Sequence, residues 1–375
     1  MKLCAVGLRG IPDVMGGIES HCQQLYPRLV KSGMEVTVIC RSPYVDSSVK
    51  EYKGVQLRSV WTMKSKFVET FLHTFLSIFY ARFVVKPDVL HIHGIGPALF
   101  TPLAKLLGMQ VMVTHHGADY DRQKWNQFAK NVLKFGETMA LKFSDRAIVV
   151  GRSLTGALKN KFSRKSNGIM FVPNGAKTDM DTNMGADALP ADLKLEPGKY
   201  VLTVGRLVPE KGFHDLVEAY KKADTDLKLV IVGGADHEDE YSMSLKKQAG
   251  ENIIFAGRRQ GDELNALYKF ARVFVLPSYH EGLPIVALEA IAAGTEVIIS
   301  DITPNADIGL PEDAYFRVGD TDQLAYKLTH VNELALAINK EAFLNTFNWD
   351  SISNDTFVIA NNLAMGLPAQ PRTAA

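Results

Sequence analysis

The chain has 375 residues, of which 46% are apolar and 22% are charged. This length predicts roughly two to three domains, and this composition is typical of a soluble globular protein with sizeable cores. Its three cysteines, Cys4, Cys22 and Cys40, lack a Cys-x-x-Cys spacing. We therefore interpret them as small core residues in a reducing compartment, which excludes a disulfide framework. We expect no secretory signal, because the apolar run Lys2 to Leu8 is short and Arg9 follows it.

The net charge of +1 hides a marked asymmetry between the two halves of the chain. Residues 1–190 hold 25 Lys and Arg against 14 Asp and Glu, a net charge of +11, whereas the remainder holds 17 against 27, or −10. We expect only the basic half to meet an anionic partner. Nucleic acid is disfavoured as this partner, since neither a basic-aromatic RNA signature nor a helix-turn-helix pattern accompanies the charge. An anionic membrane surface, or a lipid diphosphate within it, fits this charge better.

Apolar β-branched runs alternate with helical patterns along the first half of the chain. The predicted helices lie at about 17–32, 65–84, 97–107 and 124–142. The predicted parallel strands are 2–8, 35–41, 89–94, 110–117, 146–151 and 169–175.

A second alternating series follows the polar stretch 176–199. Its predicted helices lie near 211–223, 240–249, 262–271 and 284–293, and its predicted strands are 199–206, 227–234, 252–257, 273–278 and 296–301. Two such series predict two Rossmann-like domains with doubly wound parallel sheets, an α/β fold class that binds ligands at the carboxyl ends of its strands.

Residues 67–86 resemble a transmembrane span in length and apolar content. Glu69, His73 and Arg82 interrupt the stretch and Pro87 follows it, and charges are costly inside a bilayer. We predict a helix between strands. A fully buried core helix and a membrane-facing surface helix both remain open for it.

Residues 279–294 carry the most informative pattern. Glu281 and Glu289 lie eight positions apart around a Gly282-Leu283-Pro284 turn, and a proline just inside a helix start predicts a helix from Pro284 to Ala293. The first N–H groups of that helix favour phosphate, and the two acids can accept hydrogen bonds from sugar hydroxyls. Together they indicate a sugar-nucleotide site.

This segment resembles the E-x7-E signature of family 4 of the retaining glycosyltransferases, which have the GT-B fold. Four other motifs match in chain order: Gly16-Gly17, THHG at 114–117, VPNGA at 172–176 and GRLVPEKG at 205–212. THHGADYDRQKW and ADHEDEYS also resemble the rhamnosyltransferase-like branch. The resemblance implies two domains facing across a cleft, at 1–180 on the acceptor side and 195–345 on the donor side. It also implies a helix at about 350–365 that packs back on the first domain; a disordered tail is expected over 366–375.

Breaking the bond between a sugar and a diphosphate places negative charge on the leaving group, so cations should face the phosphates. Arg206 and Lys211 follow a predicted strand and are expected to hold the diphosphate, as the resemblance also implies. By the same resemblance, Glu281 is expected to be a catalytic residue that contacts the hydroxyls of the donor sugar. Glu289 resembles the residue that binds the ribose. The backbone N–H groups of Gly282 and Leu283 should approach the sugar and phosphate.

In the first half, Gly16 and Gly17 follow the first strand and are expected to let the backbone pass beside the diphosphate or acceptor. By resemblance, His116 is expected to be a catalytic residue near the reacting centre and the sugar. Asn174 is expected to bind the donor, in the loop that borders the donor cleft. His115, one residue earlier, should point to the opposite face and pack.

We expect no metal and no cofactor. Asp119 and Asp121 form a D-x-D like the metal-diphosphate motif of another glycosyltransferase fold, but Arg206, Lys211 and the helix end already supply positive charge. The histidines at 91, 93, 115 and 116 do not indicate zinc, because no Cys or carboxylate completes a tetrahedral set at a familiar spacing.

The sequence thus predicts a metal-independent, retaining, hexosyltransferase-type enzyme at the cytoplasmic face of a membrane. Its partners would be a nucleotide diphosphate sugar donor and a lipid-linked or cell-surface polysaccharide acceptor, with peripheral membrane contact through the basic domain. A sugar-nucleotide epimerase and a non-catalytic nucleotide-sugar or glycan-binding protein remain open. An NAD-dependent oxidoreductase is disfavoured, since the first turn reads GLRGIP and the second strand ends in Arg41 rather than an acid.

Overall fold

The computed structural model describes residues 1–63, 68–122, 125–177, 184–235 and 238–368. The chain divides into two compact units. The first unit comprises Met1–Gly175 and the chain from Trp349 onward, and the second unit comprises Ala176–Asn348. Most of the tail for which disorder is predicted, residues 369–375, lies outside the described residues.

The first unit contains an eight-stranded sheet with the strand order β3-β4-β2-β1-β5-β6-β7-β8. β1 and β5 are buried along almost their whole length, which explains their continuous apolar sequences. The strands are β1 (Lys2–Val6), β2 (Glu35–Arg41), β3 (Glu51–Tyr52), β4 (Val55–Val60), β5 (Val89–His93), β6 (Gln110–His115), β7 (Arg146–Val149) and β8 (Ile169–Phe171).

Helices connect these strands, and the last helix of the chain belongs to the same unit. Arg28 on α1 donates to Asp350 on α13 with an N–O distance of 2.8 Å, and the rings of His21 and Trp349 contact each other edge to face. The helices are α1 (Gly17–Lys31), α2 (Val68–Tyr80) with a π-helical turn (Ala81–Val85), α3 (Thr101–Leu106), α4 (Gln127–Phe143), α5 (Arg152–Lys161) and α13 (Trp349–Ala364).

The predicted parallel sheet of the first unit carries one antiparallel strand at its edge. β3 pairs antiparallel with β4, and all other pairs of this sheet are parallel. The sequence analysis missed both strands, because β3 has two residues and β4 alternates buried Val55 and Leu57 with polar neighbours instead of forming a continuous apolar run.

The second unit contains a six-stranded parallel sheet with the order β11-β10-β9-β12-β13-β14. Its strands are β9 (Tyr200–Val204), β10 (Lys228–Val232), β11 (Ile253–Gly257), β12 (Val273–Leu276), β13 (Val297–Ser300) and β14 (Tyr315–Phe316). Its helices are α6 (Phe213–Lys222), α7 (Glu240–Lys246), α8 (Gly261–Phe270), α9 (Ile285–Ala293), α10 (Thr303–Ala306), α11 (Thr321–Thr329) and α12 (Lys340–Thr346).

Two predicted boundaries need correction. The helix of the E-x7-E segment begins at Ile285, not Pro284, because Pro284 is the N-cap with an extended backbone (φ −76°, ψ 102°). The strand predicted over 169–175 ends at Phe171, so Asn174 and Gly175 lie in the loop that follows.

Each sheet has a point where its strand order reverses. In the second unit this point lies between β9 and β12, and in the first unit between β1 and β5. Open α/β sheets bind ligands outside the carboxyl ends of the strands at this switch point. The loops that follow these four strands therefore define where a site is expected in each unit.

Candidate functional site

In the second unit, a partly buried ion pair joins the loops that follow the two central strands. Lys211 ends a short 3₁₀ turn after β9, and Glu281 lies on the loop after β12. The Lys211 Nζ–Glu281 Oε1 distance is 2.5 Å, and the side chains are only 16% and 10% exposed. Two residues that are 70 positions apart, both predicted to bind the donor, thus meet at the switch point.

Further hydrogen bonds hold these two loops in register. Ser278 Oγ donates to the same Glu281 Oε1 at 2.7 Å, and the Tyr279 amide donates to the Glu210 carbonyl at 3.0 Å. The Tyr279 hydroxyl donates to Asp215 Oδ2 at 2.6 Å. The pair is therefore fixed by its surroundings before any ligand arrives.

Gly212 allows the close approach of the two loops. Its φ of +65° lies in the left-handed region, and a Cβ atom at this position would come within 2.1 Å of the Pro277 carbonyl oxygen. Only glycine satisfies both conditions without a backbone shift. The glycine that ends the GRLVPEKG motif therefore meets two requirements: the left-handed backbone of the turn and the close packing against Pro277.

The environment keeps the Glu281 carboxyl ionised. Burial alone raises the pKa of Glu281, but the charge and hydrogen bond of Lys211, the hydrogen bond of Ser278 and the charge of His280 together lower it below its usual value. The acid is therefore a carboxylate at neutral pH, which is the form that accepts hydrogen bonds from hydroxyl groups.

Three further predicted donor-binding residues of this unit lie on the same two loops. Arg206 follows β9 and is half-buried, and Gly282 and Leu283 directly follow Glu281. The amides of Ala287 and Leu288 bond to the Pro284 carbonyl. The first amides of α9 have no intrahelical acceptor by the geometry of an α-helix, and they present the positive end of the helix dipole on this loop.

Glu289 lies on α9 and contacts α8. The Tyr268 hydroxyl donates to its Oε2 at 3.2 Å. Burial raises the pKa of Glu289 to about 7, although the charge of Lys177 and the hydrogen bond of Tyr268 both lower it. This acid thus changes its protonation state near neutral pH, unlike Glu281.

In the first unit, the predicted residues fall into two groups. Gly16 is the N-cap of α1, with a φ of +153°, and Gly17 is the first residue of that helix. A Cβ atom on Gly16 would come within 2.0 Å of Glu19 Oε2, and Glu19 Oε1 accepts a hydrogen bond from the Arg9 amide at 3.0 Å. The Glu19 side chain therefore packs against Gly16 and bonds to the loop before it. A contact of Gly16 or Gly17 with a ligand stays a prediction.

A histidine cluster lies at the carboxyl ends of β5 and β6, and we define it as His21, His93 and His116. Asn174 is a hydrogen-bond partner of this cluster. His93 Nδ1 and His116 Nε2 are 2.9 Å apart, and His21 Nδ1 donates to Asn174 Oδ1 at 2.9 Å. Burial lowers the pKa of His21 to about 4. Burial and the neighbouring imidazoles hold the pKa values of His93 and His116 well below the usual range. All three rings are neutral at physiological pH.

The cluster continues inward through hydrogen bonds. The Tyr26 hydroxyl bonds to His93 Nε2 and, at 3.0 Å, to His91 Nδ1. His91 Nε2 bonds to Thr114 Oγ1 at 2.7 Å. His91 thus has both ring nitrogens engaged inside the domain and does not belong to the candidate site.

Two other predictions concern neighbouring residues. His115 is buried and its Nε2 lies 3.2 Å from Glu137 Oε2, which confirms that it packs away from His116. Asp119 Oδ1 lies 2.8 Å from Arg122 Nη2. The negative charge of this acid of the D-x-D sequence is therefore neutralised by an arginine of its own loop.

Sequence reasoning missed several residues of these sites. Ser278, three residues before Glu281, was available as a hydroxyl at the end of β12. The pairing of Tyr268 with Glu289 and the position of His21 beside Asn174 depend on tertiary contacts over 21 and 153 residues, for which the spacing gives no signal.

The fold is that of a glycosyltransferase, and two family descriptions that match the chain agree with it. Residues 15–180 match the family described as "Glycosyltransferase Family 4", and residues 187–337 match "Glycosyl transferases group 1". The chain belongs to family 4 of the glycosyltransferases and has the GT-B fold, which confirms both predictions. The narrower resemblance to the rhamnosyltransferase-like branch stays a prediction.

Similar proteins cover nearly the whole chain. An uncharacterized glycosyltransferase of Methanocaldococcus jannaschii is 27% identical over 95% of this chain and 97% of its own length. The Escherichia coli UDP-Gal:alpha-D-GlcNAc-diphosphoundecaprenol alpha-1,3-galactosyltransferase is 26% identical over 78% of each chain. Among solved structures, sucrose-phosphate synthase from Thermosynechococcus elongatus superposes with a TM-score of 0.80 at 21% identity, covering 97% of this chain and 99% of that one. Anabaena HepE in complex with UDP and glucose gives a TM-score of 0.78 at 16% identity, covering 97% and 100%.

Proposed function

We propose that this glycosyltransferase is a retaining, hexosyltransferase-type enzyme that uses a nucleotide diphosphate sugar. Its acceptor would be a lipid-linked or cell-surface polysaccharide chain of the cell envelope. The observation that carries the proposal is the partly buried Lys211–Glu281 pair at the switch point of the second unit. It puts a cation and a carboxylate where a diphosphate and a sugar would meet.

The chemistry assigns a different task to each group. The bond between the sugar C1 and the diphosphate oxygen breaks, a bond from C1 to the acceptor oxygen forms, and the acceptor proton passes to the leaving diphosphate. Lys211, Arg206 and the first amides of α9 would stabilise the negative charge that develops on the diphosphate. Glu281 would accept hydrogen bonds from the sugar hydroxyls and Glu289 from the ribose, with His116 beside the sugar as a neutral partner.

The compared proteins support a nucleotide sugar as donor and a lipid diphosphate as acceptor. The E. coli relative is named for UDP-galactose and for a diphosphoundecaprenol acceptor, and HepE was solved with UDP and glucose. Since these similarities are 26% and 16% in sequence, the sugar, the base and the acceptor of this chain are properties to be measured.

The test is an assay of nucleoside diphosphate release with a panel of UDP-, GDP-, ADP- and dTDP-sugars, with and without lipid-diphosphate acceptors. We expect release that depends on one donor and on an acceptor, no loss of rate after chelation of metals, and a product whose anomeric configuration by NMR matches the donor. An inverted product would refute retention. Conversion of the donor to an epimer without release would favour the epimerase, and binding without turnover would favour a binding protein.

We also propose peripheral contact of the first unit with the inner face of the cytoplasmic membrane. A patch of exposed apolar and basic side chains supports this, and we name it the apolar–basic patch: Phe83, Val84, Leu106, Arg82 and Lys86. The three apolar members are 61%, 60% and 84% exposed. Large apolar side chains that are exposed next to basic ones are typical of surfaces that contact anionic lipid.

The helix of this patch is anchored in the unit at its other end. Val68–Val85 is long and apolar enough, by length and composition, to cross a bilayer. However, Glu69 in its first turn forms a buried ion pair with Arg41 of β2 at 2.8 Å, and Thr62 Oγ1 donates to the Glu69 carbonyl. These bonds hold the helix against the sheet, so we favour a surface helix over a spanning one.

Sedimentation of the full chain with vesicles tests the contact. We expect binding to vesicles with phosphatidylglycerol at low salt, weaker binding at high salt, and a loss of at least about tenfold in the Phe83→Ser/Val84→Ser variant. The matched control is Tyr326→Ser, which changes a 60% exposed aromatic residue of the second unit. Equal binding of both variants, or no binding of the wild type at low salt, would end the membrane proposal.

A further inference from the structure

The histidine cluster of the first unit has the composition of a metal site. One ring nitrogen each from His21, His93 and His116 lies within 4.8 Å of the others. The ring centroid of His21 lies 5.7 Å from that of His93 and 4.8 Å from that of His116. The centroids of His93 and His116 are 5.2 Å apart. Three elements thus direct imidazoles to one point: α1, the end of β5 and the loop after β6.

The outer nitrogens of two of these rings are already held by partners. His21 donates from Nδ1 to the amide oxygen of Asn174, which leaves Nε2 with a lone pair. His93 bonds through Nε2 to the Tyr26 hydroxyl, which leaves Nδ1 on the side of His116. Metal-binding histidines almost always have this outer hydrogen bond, because it fixes the tautomer and the orientation of the ring.

His91 shows what a purely structural histidine of the same region looks like. Both of its nitrogens are bonded inside the domain, to Tyr26 and to Thr114. His116, in contrast, is half-buried, so the cluster has one member in contact with solvent. This exposed side gives an ion a route in and leaves room for a fourth ligand.

We propose that His21, His93 and His116 bind a divalent transition-metal ion of the zinc class, with the fourth position open to water. Zinc–nitrogen bonds of about 2.0–2.1 Å place the nitrogens of a tetrahedral site about 3.4 Å apart. The rings would therefore move by about 1 Å or less from their present separations of 2.9 to 4.8 Å. Three neutral imidazoles select zinc, cobalt and copper over magnesium and calcium, which prefer oxygen ligands.

Metal binding at this site would affect glycosyl transfer, an inference that rests on the proposed function. A metal ion would hold the His116 ring nitrogen that now faces His93, so this imidazole would no longer be available for the role that we propose for it in transfer. Glycosyl transfer, which we expect to be metal-independent, would then be inhibited by micromolar zinc. The metal would be a regulator of the site, not its cofactor.

The experiment is a titration of the chelator-treated full chain, without a polyhistidine tag, with Co²⁺. We expect a visible absorption band of a four- or five-coordinate site that saturates at one equivalent, and its loss on adding Zn²⁺ but not Mg²⁺. His21→Ala should abolish the band, and Asn174→Ala should weaken Co²⁺ binding by about tenfold, as removal of an outer partner does. His116→Ala, at the half-buried member, should also abolish the band and tests the proposal if His21→Ala does not fold.

The matched controls are His214→Ala and His330→Ala in the second unit, both of which should bind Co²⁺ as the wild type does. A wild type without a saturable band, or a band that survives both cluster variants, would overturn the metal site. Binding is measured without substrates, so its failure leaves the transferase proposal untouched. Conversely, an inactive protein that still binds cobalt would count against the transferase alone.

Discussion

The two units use the same topological position for different chemistry. At the switch point of the second unit, Lys211 and Glu281 form a partly buried ion pair. At the carboxyl ends of the central strands of the first unit, neutral imidazoles and a tyrosine hydroxyl form a chain of hydrogen bonds. The difference shows that the fold supplies the location, while the side chains decide whether a charged or a neutral group is bound there.

Removing the Lys211 cation should have the largest effect on the second unit. Lys211→Ala should lower kcat/KM for the nucleotide sugar by about 10²- to 10³-fold, because a positioned donor to the developing charge is lost in a low-dielectric site. Steady-state kinetics of nucleoside diphosphate release measures this. Lys222→Ala, which removes a lysine paired with Glu218 and Asp322 on the surface, should leave the rate within about twofold. Equal rates for Lys211→Ala and the wild type would contradict the assignment.

The packing of the two loops is tested by Gly212→Ala. The new Cβ would lie 2.1 Å from the Pro277 oxygen in a left-handed backbone, so we expect a loss of about 2–4 kcal/mol in the free energy of unfolding. Gly309→Ala is the control, since its φ is +77° but nothing lies within 4 Å of the added carbon. It should cost only about 1 kcal/mol in chemical denaturation. If both variants lose the same stability, the close approach of the loops is unimportant.

In the first unit, Tyr26→Phe removes the hydroxyl that joins His91 and His93. We expect a loss of about 1–3 kcal/mol, because two buried ring nitrogens lose their partner. Tyr220→Phe provides the comparison: its hydroxyl donates to a single backbone carbonyl, that of Leu227, at 2.7 Å. Denaturation should show the larger loss for Tyr26→Phe, and the reverse order would argue against a connected chain.

We expect the smallest effect, a pH-dependent change in stability, from the substitution Glu289→Gln. Burial raises its pKa to about 7, above the ordinary value of 4.5, so the folded state holds a proton that the unfolded state has released. Its contribution to stability is therefore full below about pH 4.5 and is lost as the pH rises through 7. Glu289→Gln should raise the melting temperature at pH 8, by an equivalent of about 1 kcal/mol after solvent screening, and leave it unchanged at pH 4. A gain of equal size at both pH values would exclude this protonation.

If Glu289 binds the ribose as proposed, donor binding should depend on pH through the same residue. Since a carboxylate accepts hydrogen bonds better than a carboxylic acid, KM for the nucleotide sugar should rise as the pH falls below about 7. The Glu289→Gln enzyme should lack this dependence, which a series of KM measurements between pH 5.5 and 8.5 would show.

Much of this architecture could be predicted because buried parallel strands have continuous apolar sequences. The runs that became β1, β5, β9 and β12 are of this kind, and the motifs that follow β9 and β12 mark the second site. The alternating strand β4, in contrast, lacks such a run and was missed.

The histidine cluster shows why the rest could not be predicted. Zinc was set aside because the histidines at 91, 93, 115 and 116 lack a completing ligand by spacing. The structure replaces two of them: His91 and His115 turn inward to Tyr26 and Glu137, and His21 comes in from α1. Which ring turns where depends on hydrogen-bond partners up to 153 residues away, and no local pattern encodes that.

The central claim is that Lys211 binds the diphosphate of a nucleotide sugar, beside the Glu281 carboxylate that binds the sugar. Its most direct test is calorimetric titration of the wild type and of Lys211→Ala with UDP and with uridine, repeated with GDP, ADP and dTDP and their nucleosides. For the nucleotide that the wild type binds, we predict that Lys211→Ala weakens the diphosphate by about 10- to 150-fold, as loss of a charge-assisted hydrogen bond does, and changes the nucleoside by less than about twofold. An unchanged diphosphate affinity, or an equal loss for nucleoside and diphosphate, would contradict the account.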